Sequence, residues 1–211
     1  MLRSLILAIA IAGVSGFGTA ESPSPELTDE EFALLINDID EAQDMLIGLI
    51  SGITDEQWNF KPGPDRWSIA ECVEHISRTQ VAILNAIKAF SAGPPDPEWF
   101  EKAGNKSDFI RQTVMTRPQE GGRGFTAGGE VLPTEHWDRA TGFREFYKSH
   151  GQLRAYVETM PRAIKNRTFQ NPFPAIGWMN SHDWLTLAAL HAVRHSKQIA
   201  EVQQDSKYPK K

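Results

Sequence analysis

Four stretches of this chain carry apolar residues at three- and four-residue spacing, and one long proline- and glycine-rich segment, residues 92 to 136, separates the second from the third. That spacing has the period of helices that bury one face, so it predicts an all-α protein whose helices must cover one another. The first stretch follows Thr28 and Glu31, which read as a capping box, and runs through Phe32, Leu35, Ile36, Ile39, Ala42, Leu46, Leu49 and Ile50. Pro62, Gly63 and Pro64 interrupt the pattern, and Ser68 with Glu71 forms a second capping box. Behind it a helix is predicted from Ile69 to about Ser91, stopping at Gly93-Pro94-Pro95.

The segment that follows holds Pro94, Pro95, Pro97, Pro118 and Pro133 and the glycines 121, 122, 124, 128 and 129. It reads as a long crossover, a solvated linker or a lid, with one short helix over Asp108 to Met115. A third long helix is predicted from Asp138 to Met160, weakened by Gly142 and Gly151, and a fourth from an Asn180 cap to about Gln203. No strand and no internal repeat is expected. Four long amphipathic helices with one long connection between helices two and three imply a four-helix bundle.

The N-terminus has a different character. Arg3 makes a short basic region, Leu5 to Val14 is an apolar run, and Gly18-Thr19-Ala20 ends in small residues that a signal peptidase accepts. The expected organisation is a signal peptide over 1–20 cleaved after Ala20, a flexible leader over 21–27, the bundle over 28–204 and a polar tail over 205–211. The mature protein is then exported, periplasmic or extracellular, with no membrane attachment after processing. Lys and Arg number 22 against 27 for Asp and Glu, a formal charge of -5, so neither nucleic acid nor an anionic membrane surface is an expected partner. A small-molecule substrate or ligand is, and a homodimer stays open. With Cys72 as the single cysteine, a bound metal would sit among nitrogens and oxygens.

Histidines supply the candidates. On helix four, Trp184, Leu187, Ala188, Ile199 and Val202 define an apolar line, and at about 100° per residue His191 and His195 fall within about 20° of its centre. Their spacing of four, in HAVRH, stacks both rings on one face, the arrangement by which one helix gives two nitrogens to one metal. His75, at the edge of the apolar stripe of helix two, meets them if helices two and four run antiparallel. His182 falls on the opposite face from His191 and reads as a solvated first-turn residue, and His136 lies in the connection before helix three. His150 lies on the Phe143, Tyr147, Leu153 stripe, as a hydrogen-bonded core histidine or a fourth ligand in place of water. Cys72 reads as a small buried hydrophobe. Glu71 is used as a cap, while Gln43 and Gln198 could orient a ring or a water, so no general acid or base is identified.

RWSIAECVEHI over 66–76, the long crossover, and GWMNSHDWLTLAALHAVRHSKQI over 177–199 resemble the DinB/YfiT-like family, from about Leu27 to Val202. The resemblance implies a bundle in up-down-down-up order and one divalent metal on His75, His191 and His195. It also implies either a metal-dependent hydrolase or a transferase or isomerase that uses a low-molecular-weight thiol. The export signal departs from this mostly cytosolic family, and outside the cytoplasm reduced thiols are scarce. The leading expectation is therefore a hydrolase of a small molecule with zinc, or nickel, iron or manganese, on three imidazoles and one open position. The alternatives are the thiol-dependent transferase, a non-catalytic metal- or ligand-binding module, and a structural bundle with hydrogen-bonded histidines.

Overall fold

The computed structural model describes residues 26–91, 101–115, 129–166, 168–170 and 176–210. The signal peptide expected over 1–20, the stop at Gly93-Pro94-Pro95 and the glycines 121, 122, 124 and 128 lie outside them. Helix α1 spans Asp29–Ile50, α2 Asp55–Asn59, α3 Ile69–Ser91, α4 Ser107–Met115, α5 Arg139–Thr159 and α6 Ser181–Gln203. Both expected capping boxes form: the Glu31 amide donates to the Thr28 hydroxyl at 3.1 Å, and the Glu71 amide to the Ser68 hydroxyl at 3.2 Å. Asp138 and Asn180 cap α5 and α6 through their side-chain oxygens. Such caps contribute about 1 kcal/mol each by giving an orphan helix amide an acceptor.

The long helices form the bundle α1, α3, α5 and α6. Gln203 near the end of α6 donates to the Leu49 carbonyl near the end of α1 at 2.7 Å, so these two run parallel. Ser149 meets Gln80 at 3.0 Å and Tyr156 meets Ser91 at 3.4 Å, so α3 and α5 also run parallel, as the long crossover between them requires. Arg66, just before α3, pairs with Glu201 late in α6, and Arg162 after α5 with Asp29 at the start of α1, which sets the two pairs antiparallel. The order is up-down-down-up.

The core has two apolar clusters. One gathers Leu35, Ile39, Ile87, Leu153 and Leu185 near the start of α6, the other Leu46, Trp58, Ile76, Phe146 and Ile199 near its end. Between them runs a buried polar layer. His150 donates from Nε2 to the Ile39 carbonyl at 3.0 Å and accepts at Nδ1 from the Gln80 amide at 3.1 Å. Both nitrogens are thus engaged, which lets an imidazole lie in the core without an unmet polar atom.

Several features depart from the sequence expectation. A three-residue antiparallel ribbon, β1 Thr168–Gln170 with β2 Trp178–Asn180, precedes α6. Helix α2 carries its own capping box, Thr54 with Gln57. Its Trp58, with no exposed surface, donates to the Trp137 carbonyl at 2.9 Å and packs on Gly142, where a Cβ would lie 2.5 Å from the indole. The glycine that weakens α5 as a helix thus allows this close approach. Leu27, expected in the leader, is 5% exposed, and its amide donates to the Arg162 carbonyl at 2.9 Å. In the expected polar tail, Tyr208 stands edge-on to Phe60 at 5.6 Å, and the Pro209 carbonyl accepts from Gln57 at 2.8 Å. Among the described residues, no helix is long and apolar enough to cross a membrane.

Candidate metal centre

The centre forms where the second turn of α3 meets the latter half of α6. Ser68 caps the chain into α3 and so fixes the rotation that turns His75 toward α6, and the four-residue spacing stacks His191 over His195. His75 Nε2 and His195 Nε2 stand 3.2 Å and 3.1 Å from His191 Nε2. Each of the three residues offers a ligand atom, and these atoms all lie within 4.8 Å of one another. Among the described residues they are the only such group of histidine, cysteine, aspartate and glutamate.

The outer nitrogens decide what the inner ones can do. His75 Nδ1 lies 2.7 Å from the Val131 carbonyl and His195 Nδ1 2.9 Å from the Gln198 amide oxygen. Both oxygens are acceptors, so both Nδ1 atoms carry the proton and both neutral rings turn a lone pair inward at Nε2. Three Nε2 atoms therefore share at most one proton, that of His191, whose Nδ1 has no partner among the described residues. Burial, then the neighbouring His195 and His75, hold the His191 pKa well below its ordinary value. Burial also lowers that of His75, against the opposing pull of the Val131 carbonyl. Neutral rings with converging lone pairs are what a divalent cation binds. Nitrogens sharing a tetrahedral zinc at 2.0–2.1 Å lie about 3.3 Å apart, close to the spacing seen here.

Trp67 walls the centre, its ring 4.8 Å from that of His75 and 5.8 Å from that of His195. His75 and His195 are buried and His191 is half-buried. A groove of about 590 Å³ runs between α3 and α5, lined among others by Arg78, Glu130, Trp137 and Ser149. It opens on another face of α3 and none of the three histidines lines it.

Of the other candidates, His150 lies in the polar layer and not in the cluster, which removes it as a fourth ligand. Cys72 is a buried core residue, His136 is exposed with a left-handed φ of 51°, and Gln43 is half-buried on α1. Glu71 caps α3 and pairs with Lys61 at 2.7 Å. Gln198 does orient a ring. His182 is not solvated: it is 3% exposed, its Nδ1 lies 3.3 Å from the Ser107 hydroxyl, and burial brings its pKa down to about 4. Every residue from Ser181 to Leu190 is buried, because α6 is the central helix, packed against α1, α3 and α4. Periodicity finds the most apolar line of such a helix but not that its opposite face is also covered. The residues missed entirely are Val131, whose main chain holds His75, and Glu74, buried beside it. A glutamate directly before the candidate ligand was the available signal for the second, and a carbonyl leaves none in the sequence.

Residues 38–199 match the family model of the DinB superfamily. The chain is also similar to the uncharacterized protein YuaE of Bacillus subtilis strain 168, at 22% identity over 156 residues, covering 74% of this chain and 88% of that protein. Among solved structures, YfiT from Bacillus subtilis superposes with a TM-score of 0.53 at 16% identity, covering 89% of this chain and 94% of that one. YfiT is described as a probable metal-dependent hydrolase with an unusual four-helix bundle topology, and it shares the fold seen here.

Proposed function

The chain belongs to the DinB superfamily, and from that premise we propose that it is a metal-dependent hydrolase of a small molecule, with His75, His191 and His195 as ligands of one divalent ion. The observation that carries this reading is the meeting of three Nε2 atoms at 3.1–3.2 Å with two of their three protons held elsewhere. Without a cation, three converging Nε2 atoms in a buried place have at most the one His191 proton to share, fewer donors than a core histidine cluster ordinarily supplies. The description of YfiT supports the same reading.

Each residue has a part. The Val131 carbonyl and the Gln198 amide fix ring orientation and tautomer, as the outer partners of ligating histidines do. Trp67 covers one side of the centre, its ring 4.8 Å from that of His75. A divalent ion held by three neutral ligands supplies Lewis acidity undiminished by protein charge, enough to draw the pKa of a water towards about 7. Zinc suits such a set first, and nickel, iron and manganese are its competitors. Export with cleavage after Ala20 completes the proposal, since outside the cytoplasm water is abundant and reduced thiols are scarce.

Protein purified without an affinity tag should carry the metal. A screen of ester, amide and lactone substrates should find turnover that a chelator abolishes and that needs no added thiol. Turnover only with thiol would replace the hydrolase by a transferase, and no metal-dependent turnover with either would leave a binding module. Intact-mass analysis of the extracytoplasmic fraction should show a chain beginning at Glu21, whereas full-length protein confined to the cytoplasm would overturn export.

A further inference from the structure

We infer that Glu74 is a positioning residue of this centre: it pins the crossover onto α3 so that the Val131 carbonyl holds the His75 ring with Nε2 turned towards His191. The inference rests on the metal reading above for its consequence, though not for its geometry. Glu74 precedes His75 on α3 and is 1% exposed. A glutamate is almost never so deeply buried without partners. Its Oε1 accepts the main-chain amides of Thr134 at 2.8 Å and Glu135 at 2.9 Å, and it lies 3.0 Å from Arg78 Nε. Arg78 in turn donates to the Glu130 carbonyl at 3.0 Å and pairs with the Glu135 carboxylate at 2.6 Å.

These contacts grip the crossover on both sides of Val131. Glu130 is held before it and Thr134 and Glu135 after it, so the Val131 carbonyl has little freedom to leave His75 Nδ1, 2.7 Å away. Glu74 is not among the groups whose ligand atoms converge, so its influence on the centre is indirect. It acts on Nε2 through the imidazole: while the carbonyl accepts from Nδ1–H, the neutral ring must present a lone pair at Nε2. Were the carbonyl released, the other tautomer would become available, and a protonated Nε2 cannot ligate. The same carboxylate balances Arg78, which keeps both charges paired where they are withdrawn from water.

The test uses the full chain. Zinc affinity, measured by chelator competition, should fall about 10- to 100-fold in Glu74→Leu, the range for losing an outer partner of a ligating histidine. Glu74→Gln keeps an oxygen that can accept both amides and should restore affinity to within about threefold of the parent. Nitrogen-15 spectra of metal-free protein, at one slightly alkaline pH, should show His75 protonated at Nδ1 in the parent and the glutamine variant. The leucine variant should show a mixture of tautomers. A merely structural role would lower stability without moving the tautomer. If Glu74→Leu does not fold, Arg78→Gln loosens the grip from a partly exposed side chain and should shift tautomer and affinity in the same direction. An unchanged His75 tautomer in the folded variant would overturn the inference. Undiminished zinc binding in His75→Ala, His191→Ala and His195→Ala would overturn the metal reading instead, and the tautomer measurement, which needs no metal, would still decide the role of Glu74.

Discussion

His182 and His195 lie on one helix and are buried to nearly the same degree, at 3% and 4% exposure, yet their surroundings are of opposite kinds. Around His182, at the start of α6, donors meet acceptors. The Ser107 hydroxyl donates to Asp183 at 3.0 Å and so must accept from His182 Nδ1–H. The Lys106 amide also donates to Asp183, at 3.2 Å, and the Asn180 amide to the Gly104 carbonyl at 2.9 Å. Lys165 pairs with Glu31 at 2.6 Å. This end sews the segment before α4 to the start of α6, and its polar groups are structural. Around His195 the inner nitrogens are all acceptors but for one proton, and they point at one another. Burial alone therefore does not separate these two histidines. The match of donors to acceptors around each does.

The largest effect that could break this comparison is metal-linked stability. Zinc at about a thousand times its dissociation constant should stabilise the parent by about 4 kcal/mol, read as the shift in urea unfolding with and without metal. His195→Ala should lose that shift and His182→Ala should keep it. An equal shift in both would erase the distinction between the two ends.

Next comes pH. Burial pushes the Asp183 pKa up to about 6 from 3.8, so over that range the folded protein holds a proton the unfolded chain has released. Burial brings the His182 pKa down to about 4 from 6.5, so there the unfolded chain holds a proton the folded protein lacks. Between about pH 4 and 6 the two differences cancel, and this end adds no slope of stability with pH. Asp183→Asn should uncover the histidine alone: stability present above pH 6.5 falls on acidification towards pH 4, by about 3 kcal/mol more than in the parent. His182→Asn should reverse the sign, gaining stability relative to the parent as pH falls from 6 towards 3.8. Chemical unfolding across that range checks both, and parallel profiles for parent and variants would show that the two groups do not titrate as an opposed pair.

Smaller effects sharpen the picture. His182→Ala should cost about 2 kcal/mol at neutral pH, since it leaves Ser107 without its donor and opens a cavity, while zinc affinity stays at the parental value. On α5, two glycines should answer in opposite senses. At Gly142 a methyl group meets the Trp58 indole at 2.5–2.6 Å, so Gly142→Ala should destabilise by about 1 kcal/mol even after the gain in helix propensity. At Gly151 nothing lies within 4 Å, so Gly151→Ala should stabilise by about 0.5–1 kcal/mol. Thermal unfolding of the pair measures the difference.

The amino-acid sequence by itself determined the four long helices, their caps and the His191/His195 pair, because helical period and capping are local and a spacing of four places two rings on one face whatever surrounds them. His75 was added to the pair by resemblance and on the condition that helices two and four run antiparallel. The parallel setting of α3 and α5 was likewise legible, through resemblance and the length of chain between them. Only the tertiary structure decided what each face touches. His182 is buried because α1, α3 and α4 enclose α6, which no period along α6 records. Leu27 and Tyr208 dock because apolar surface at the bundle ends was left for them to cover. Val131 serves the centre through its carbonyl, a group every residue carries, and it is placed there by Glu74 and Arg78 of another element. Main-chain partners are chosen by the path of the backbone, so they are settled only when distant segments come together.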